Sequence, residues 1–187
     1  MEIKIRAKVL AGAITAGILA GCNAPSRPSA AASSSQQNVS LMEALPNSEY
    51  PIEVARSGKA RLQDGVFEEA AAPGSATKTT VVLGEAKAAG DLNGDGVEDG
   101  AVTLVANPGG SGTFIYLAAV VNLGGAARPT AAILLGDRIV VKALVIRSGA
   151  ITVTLLTRKA DEPMAAEPKV EVTRKFKVEG ERLVEVQ

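Results

Sequence analysis

After Tyr50 the apolar residues of this chain come in short runs broken by tight-turn dipeptides, and no stretch carries a helical period. That punctuation constrains the fold more than any other feature. In Val170–Val178, Val170, Val172, Phe176 and Val178 share one side with Arg174. Glu171, Thr173, Lys175 and Lys177 share the other. A period of two with one apolar face is a half-buried strand. Runs over 76–87, 101–106, 113–123, 130–135, 138–147, 150–158 and 182–186 read as further strands, beside a hairpin over 59–69. Asp64-Gly65, Gly136-Asp137 and Ser148-Gly149 suit the two-residue turns between strands. Residues 113–123 and 139–146 are apolar on both faces, which predicts central strands covered from both sides. The expected architecture is mainly β, an antiparallel β-sandwich or irregular barrel of about nine strands. No fixed-period repeat points to a propeller or solenoid.

Composition excludes several function classes. The 187 residues hold 20 basic and 20 acidic side chains, no His and one Cys. Balanced charge speaks against a nucleic-acid partner. Lack of His removes the usual general base and the usual zinc ligand. A single Cys excludes an intrachain disulfide framework. There is no G-x-S-x-G motif, and no catalytic residue is assigned.

The N-terminus reads as an address. Lys4, Arg6 and Lys8 precede an uncharged stretch over 9–20, too short for the ~20 residues of a spanning helix. It ends Leu19-Ala20-Gly21-Cys22. This resembles the lipobox of bacterial lipoproteins over residues 1–22. The resemblance implies removal of 1–21 as a signal peptide and acylation (palmitate among the chains) of Cys22, which anchors the chain to a membrane. Asn23 after the Cys is similar to the outer-membrane sorting pattern of Gram-negative cells, with the domain facing the periplasm. The expected location is the bacterial cell envelope. Removing 1–21 leaves 17 basic and 19 acidic residues. Residues 22–48, rich in Ala, Ser, Pro, Gln and Asn, read as a flexible linker reaching roughly 25–30 Å. Ser40-Leu41-Met42-Glu43 has capping-box spacing for one helical turn. Residues 49–187 form the β-rich domain.

Residues 90–100 read Gly-Asp-Leu-Asn-Gly-Asp-Gly-Val-Glu-Asp-Gly. Oxygen-bearing side chains recur at Asp91, Asn93, Asp95 and Asp99, and Val97 offers its backbone carbonyl. A hard cation such as calcium takes six to eight oxygens, and this spacing is the start of a calcium loop. Gly94 and Gly96 permit the positive φ angles of a tight curl. The twelfth position is Val102, not a bidentate Glu, which argues for modest affinity. The loop leads into a strand, and so it resembles the calcium site of FG-GAP repeats, though the Phe-Gly half of that signature is absent. The resemblance implies ligand roles for Asp91, Asn93, Asp95, Val97 and Asp99. An ordinary solvated turn uses the same dipeptides.

The loop Asn107-Pro108-Gly109-Gly110-Ser111-Gly112 lacks the Lys of a phosphate-binding loop. It reads as a flexible hairpin connection. Asn107, Gly109, Gly110, Ser111 and Gly112 form a candidate partner surface that the ion would help to order. Arg158 and Arg174 are candidate anchors. Glu68-Glu69 and Asp161-Glu162, as sequence neighbours, point to opposite strand faces. The region 90–176 is similar to a family of uncharacterised bacterial secreted proteins, in Gly-Asp-Leu-Asn-Gly-Asp-Gly, Gly-Ser-Gly-Thr-Phe, Tyr-Leu-Ala-Ala-Val, Leu-Gly-Asp-Arg-Ile and Thr-Arg-Lys-Phe. The functional expectation is an envelope lipoprotein with one structural calcium ion, acting as a non-enzymatic interaction module on an envelope protein or glycan. The alternative is an envelope enzyme using carboxylates or a metal on a polar substrate such as a glycan.

Overall fold

The computed structural model describes residues 40–187. Cys22 and the leader lie outside the described residues. A helical turn α1 (Leu41–Ala44) and a 3₁₀ turn (Leu45–Asn47) lead into twelve strands. These are β1 (Glu49–Pro51), β2 (Lys59–Arg61), β3 (Val66–Ala70), β4 (Lys78–Gly90), β5 (Asp99–Asn107), β6 (Phe114–Leu123), β7 (Ala126–Pro129), β8 (Ile133–Asp137), β9 (Val140–Arg147), β10 (Ala150–Thr157), β11 (Val170–Glu179) and β12 (Arg182–Val186). The fold is mainly β, as the turn spacing predicts. Twelve strands stand against about nine expected, and β1 and β7 are short additions. The expected hairpin over 59–69 does not form as one: Asp64-Gly65 makes the turn, but β2 pairs with β1 and β3 with β4, in different sheets.

The strands form three antiparallel sheets. One runs β3-β4-β5-β6-β7 with β8 also on β6, a second β12-β11-β10-β9, and β1 pairs β2. Alternation along β5 and β6 sends side chains into two cores. Val102, Leu104, Tyr116, Ala118 and Val120 face a core closed by Leu41, Leu45, Tyr50 and Leu62. Ala101, Leu117 and Ala119 face the other, with Leu144, Ile151, Val153 and Phe176 of the second sheet. This double cover explains why residues 113–123 are apolar on both faces. Each fully buried Leu or Val here contributes about 1.5–3 kcal/mol.

Two expectations change. Residues 41–47 are not spacer. The capping box of Ser40 and Glu43 forms, and Leu45 is fully buried. The β-domain therefore takes in residues 40–48 as well as 49–187. Residues 139–146 are not a central strand either. β9 lies at the edge of its sheet, with Val140 48% and Val145 39% exposed. Lys142 pairs with Glu171 on its outer face at 2.5 Å, a charge of the kind that protects sheet edges.

Two glycines set the curl. The β4–β5 register shifts between Leu83 and Lys87. A Cβ at Gly84 would stand 2.2 Å from Thr103 Oγ1. At the end of β4, a Cβ at Gly90 would stand 2.8 Å from Ile146 Cγ2, so β9 passes against bare backbone.

Candidate functional site

The β4–β5 connection, residues 91–98, is bound chiefly to itself. Asp91 Oδ1 accepts from the Gly94 amide at 2.6 Å and the Asn93 amide at 3.2 Å; its Oδ2 accepts from Gly96 at 3.0 Å. Asn93 Oδ1 accepts from the Asp95 amide at 2.9 Å, and Asp95 Oδ1 accepts from Val97 at 2.7 Å. The Asn93 amide donates to Asp95 Oδ2 at 2.9 Å, so these two side chains converge. Gly94 and Gly96 have φ of +83° and +78°, with open space where a Cβ would lie. Their backbone conformation, not crowding, favours glycine. The Gly94 and Gly96 amides hold the Asp91 carboxyl below its ordinary range.

Asp99 stands apart from that ring. It is fully buried. Its Oδ2 accepts from the Leu92 amide and its Oδ1 from the Asn122 amide, both at 2.8 Å. It thus staples the base of the loop to the end of β6, a role the ligand spacing does not reveal. Leu92 is buried beneath the loop in the second core. Among the described residues, no three His, Cys, Asp or Glu side chains stand close enough to hold a metal ion by themselves. Besides carboxylates, the loop offers the Asn93 side-chain oxygen and the Val97 carbonyl, oxygen donors of the kind hard cations accept.

The Gly-rich loop lies at the other end of β5. Nine residues at about 3.4 Å per step put some 27 Å between the two strand ends. The expectation that an ion at 91–99 orders residues 107–112 does not hold. That loop is pinned elsewhere. Asn107 Oδ1 accepts from the Gly109 amide at 2.8 Å, and Asp137 Oδ1 from the Thr113 amide at 2.8 Å. The Arg138 guanidinium donates to the Ser111 carbonyl. Gly110 and Ser111 remain exposed at the tip.

The other candidates are structural. Arg174 grips Glu185 with two bonds of 2.8 and 2.6 Å, donates to the Leu135 carbonyl at 3.2 Å and lies 5.1 Å from the Phe176 ring centre. Hydrogen bonding to Arg174 holds the Glu185 carboxyl low. Arg158 donates to the Ala166 and Arg138 carbonyls and ties two loops. Glu68 pairs with Lys78 at 2.6 Å, whereas Glu69 accepts from the Arg56 amide at 2.6 Å. Burial, with Glu53 beside it, pushes the Tyr116 hydroxyl up to about 12. Burial also raises Tyr50. Neither tyrosine is an acid for neutral pH.

A broad groove of about 1250 Å³ opens beside the 91–99 loop. Leu92 and Asn93 form part of its rim. Lys59, Arg61, Arg128 and Arg182 line it, a cluster that sequence order disperses over three sheets. Among the described residues, no helix is long and apolar enough to cross a membrane. Comparison with protein-family models, curated proteins and solved structures finds no match to this chain.

Proposed function

We propose that this chain is a membrane-anchored envelope lipoprotein, held by lipid on Cys22, whose β-domain binds one structural calcium ion and acts as a non-enzymatic interaction module. The observation that carries the calcium reading is the convergence of Asn93 and Asp95 inside a curl wrapped on Asp91. Asp91, Asn93, Asp95 and the Val97 carbonyl would hold the ion, while Asp99, committed to the Leu92 and Asn122 amides, would brace the loop from beneath. Calcium supplies a cross-link among oxygens that otherwise repel, and the chain's own amides orient those oxygens. The Leu19-Ala20-Gly21-Cys22 motif supports the anchor.

Calorimetric titration of calcium into the purified full chain tests the ion. The expected result is one saturable site of modest affinity, lost in Asp91→Ala/Asp95→Ala. No heat, and no rise in melting temperature at millimolar calcium, overturns it. Fractionating cells that carry Cys22→Ser tests the anchor. The variant is expected in the soluble fraction, and retention in the membrane contradicts the reading.

A further inference from the structure

The groove beside the loop is built from three sheets held together by main-chain bonds. The Ala131 amide donates to the Glu181 carbonyl at 2.8 Å and the Ala132 amide to the Pro51 carbonyl at 2.8 Å, while the Leu62 amide, donating to the Ser48 carbonyl at 3.0 Å, extends the β1–β2 ladder. Ala131 also bridges Arg182 in parallel. The strands that carry Arg61, Arg128 and Arg182 are thus fixed relative to one another. All three arginines line this one groove because of the tertiary fold, not because one strand presents an outer face.

The charges in the groove do not cancel. Lys59 pairs with Glu49 at 3.2 Å. Among the described residues, Arg61, Arg128 and Arg182 have no carboxylate at ion-pair distance. Glu181 is the one other acid of the lining, against three guanidinium groups. Elsewhere the arginines that serve structure have found partners, as Arg174 has in Glu185. Like charges facing one concave surface raise its potential and attract anions. A guanidinium presents a planar fork that matches phosphate and carboxylate with two parallel bonds.

We propose that this groove binds a ligand carrying two or more oxyanion groups, phosphate or carboxylate, gripped by Arg61, Arg128 and Arg182. The proposal stands whether or not the 91–99 loop takes calcium, and whether or not Cys22 is lipidated. It gives the interaction module a chemistry: an anionic ligand, free or displayed on a lipid headgroup.

The test uses the full chain with Cys22→Ser, so that no acyl anchor contributes. Tripolyphosphate and citrate are titrated at low salt by calorimetry. Vesicles of phosphatidylcholine, with and without phosphatidylglycerol, are assayed by co-sedimentation. The expected result is saturable binding to a soluble anion or to the anionic vesicles alone, at least tenfold weaker in Arg128→Ala/Arg182→Ala. The first outcome assigns a free ligand, the second a headgroup. Lys175→Ala/Lys177→Ala removes equal charge from the open face of β11 and is expected to bind as the parent does. Arg61→Gln, on another wall, repeats the measurement should the double arginine variant lose its melting transition. No saturable binding to any probe, or equal weakening in the arginine and lysine variants, overturns the proposal.

Discussion

The two loops at the ends of β5 are organised in opposite ways. Residues 91–98 are held largely from within, by Asp91, Asn93 and Asp95 accepting from the loop's own amides. Residues 107–113 are held largely from outside, by Asp137 and Arg138 at the β8–β9 corner. One loop concentrates acidic oxygens around its own backbone, so protons and cations should act on it directly. The other contains no acidic side chain of its own, and the integrity of the distant corner should decide its order. The comparison separates a loop that carries its own chemistry from one that borrows its shape.

The largest expected effect comes from the staple beneath the first loop. Asp99→Ala strands two amides at a fully buried position. At roughly 1–3 kcal/mol for each unsatisfied buried group, the denaturation midpoint should drop well outside error. Asp99→Asn, which keeps one acceptor, should lose less. Equal losses would show that the carboxylate is not acting as a double acceptor.

Next come the glycines, which contrast the loops directly. Gly109 has φ +93°, and a Cβ there would lie 2.4 Å from Thr77 Cγ2. Gly94 has φ +83° and open space. Gly94→Ala should cost about 1–2 kcal/mol of backbone strain, and Gly109→Ala more, because a clash is added. Reversal of that order in urea melts would contradict the packing described for the second loop. Arg138→Ala should be milder in global stability. Its signature is faster hydrogen exchange over 107–113 with 91–98 unchanged.

The smallest effect is that of pH. The folded Asp91 carboxyl lies below its ordinary range, so the unfolded chain binds the proton more readily. The resulting stabilisation is present above the ordinary carboxylate pKa of about 3.9 and is lost as pH falls through the depressed folded value. Glu185 has the same sign through Arg174. Acidification through that depressed value should therefore expose the Gly94 and Gly96 amides, seen by NMR, and Asp91→Asn should flatten that response. An unchanged response would detach the loop from Asp91.

The fold class was legible because its signals are local. Asp64-Gly65 and Ser148-Gly149 each adopt positive φ at both residues, as their turn chemistry demands. The alternation in 170–178 survives as β11, with Phe176 buried and Lys175 and Lys177 exposed. Gly124-Gly125, with φ of +62° and +89°, carries the same local signal for the turn between β6 and β7. β9 was not legible. Apolar residues on both faces describe an edge strand as well as a central one, and strand order is a long-range property. The loop's curl was written in its spacing, but the partner of Asp99 is Asn122, in a strand 23 residues away. The arginine groove had no sequence signal, because its lining comes from strands of three separate sheets.

Hydrogen exchange on the full chain, with and without millimolar calcium, reads both loops in one experiment. Calcium should slow exchange over residues 91–99 and leave 107–113 unchanged, with the difference abolished in Asp91→Ala/Asp95→Ala. Exchange that ignores calcium at 91–99, or that slows equally at both ends of β5, would contradict that expectation.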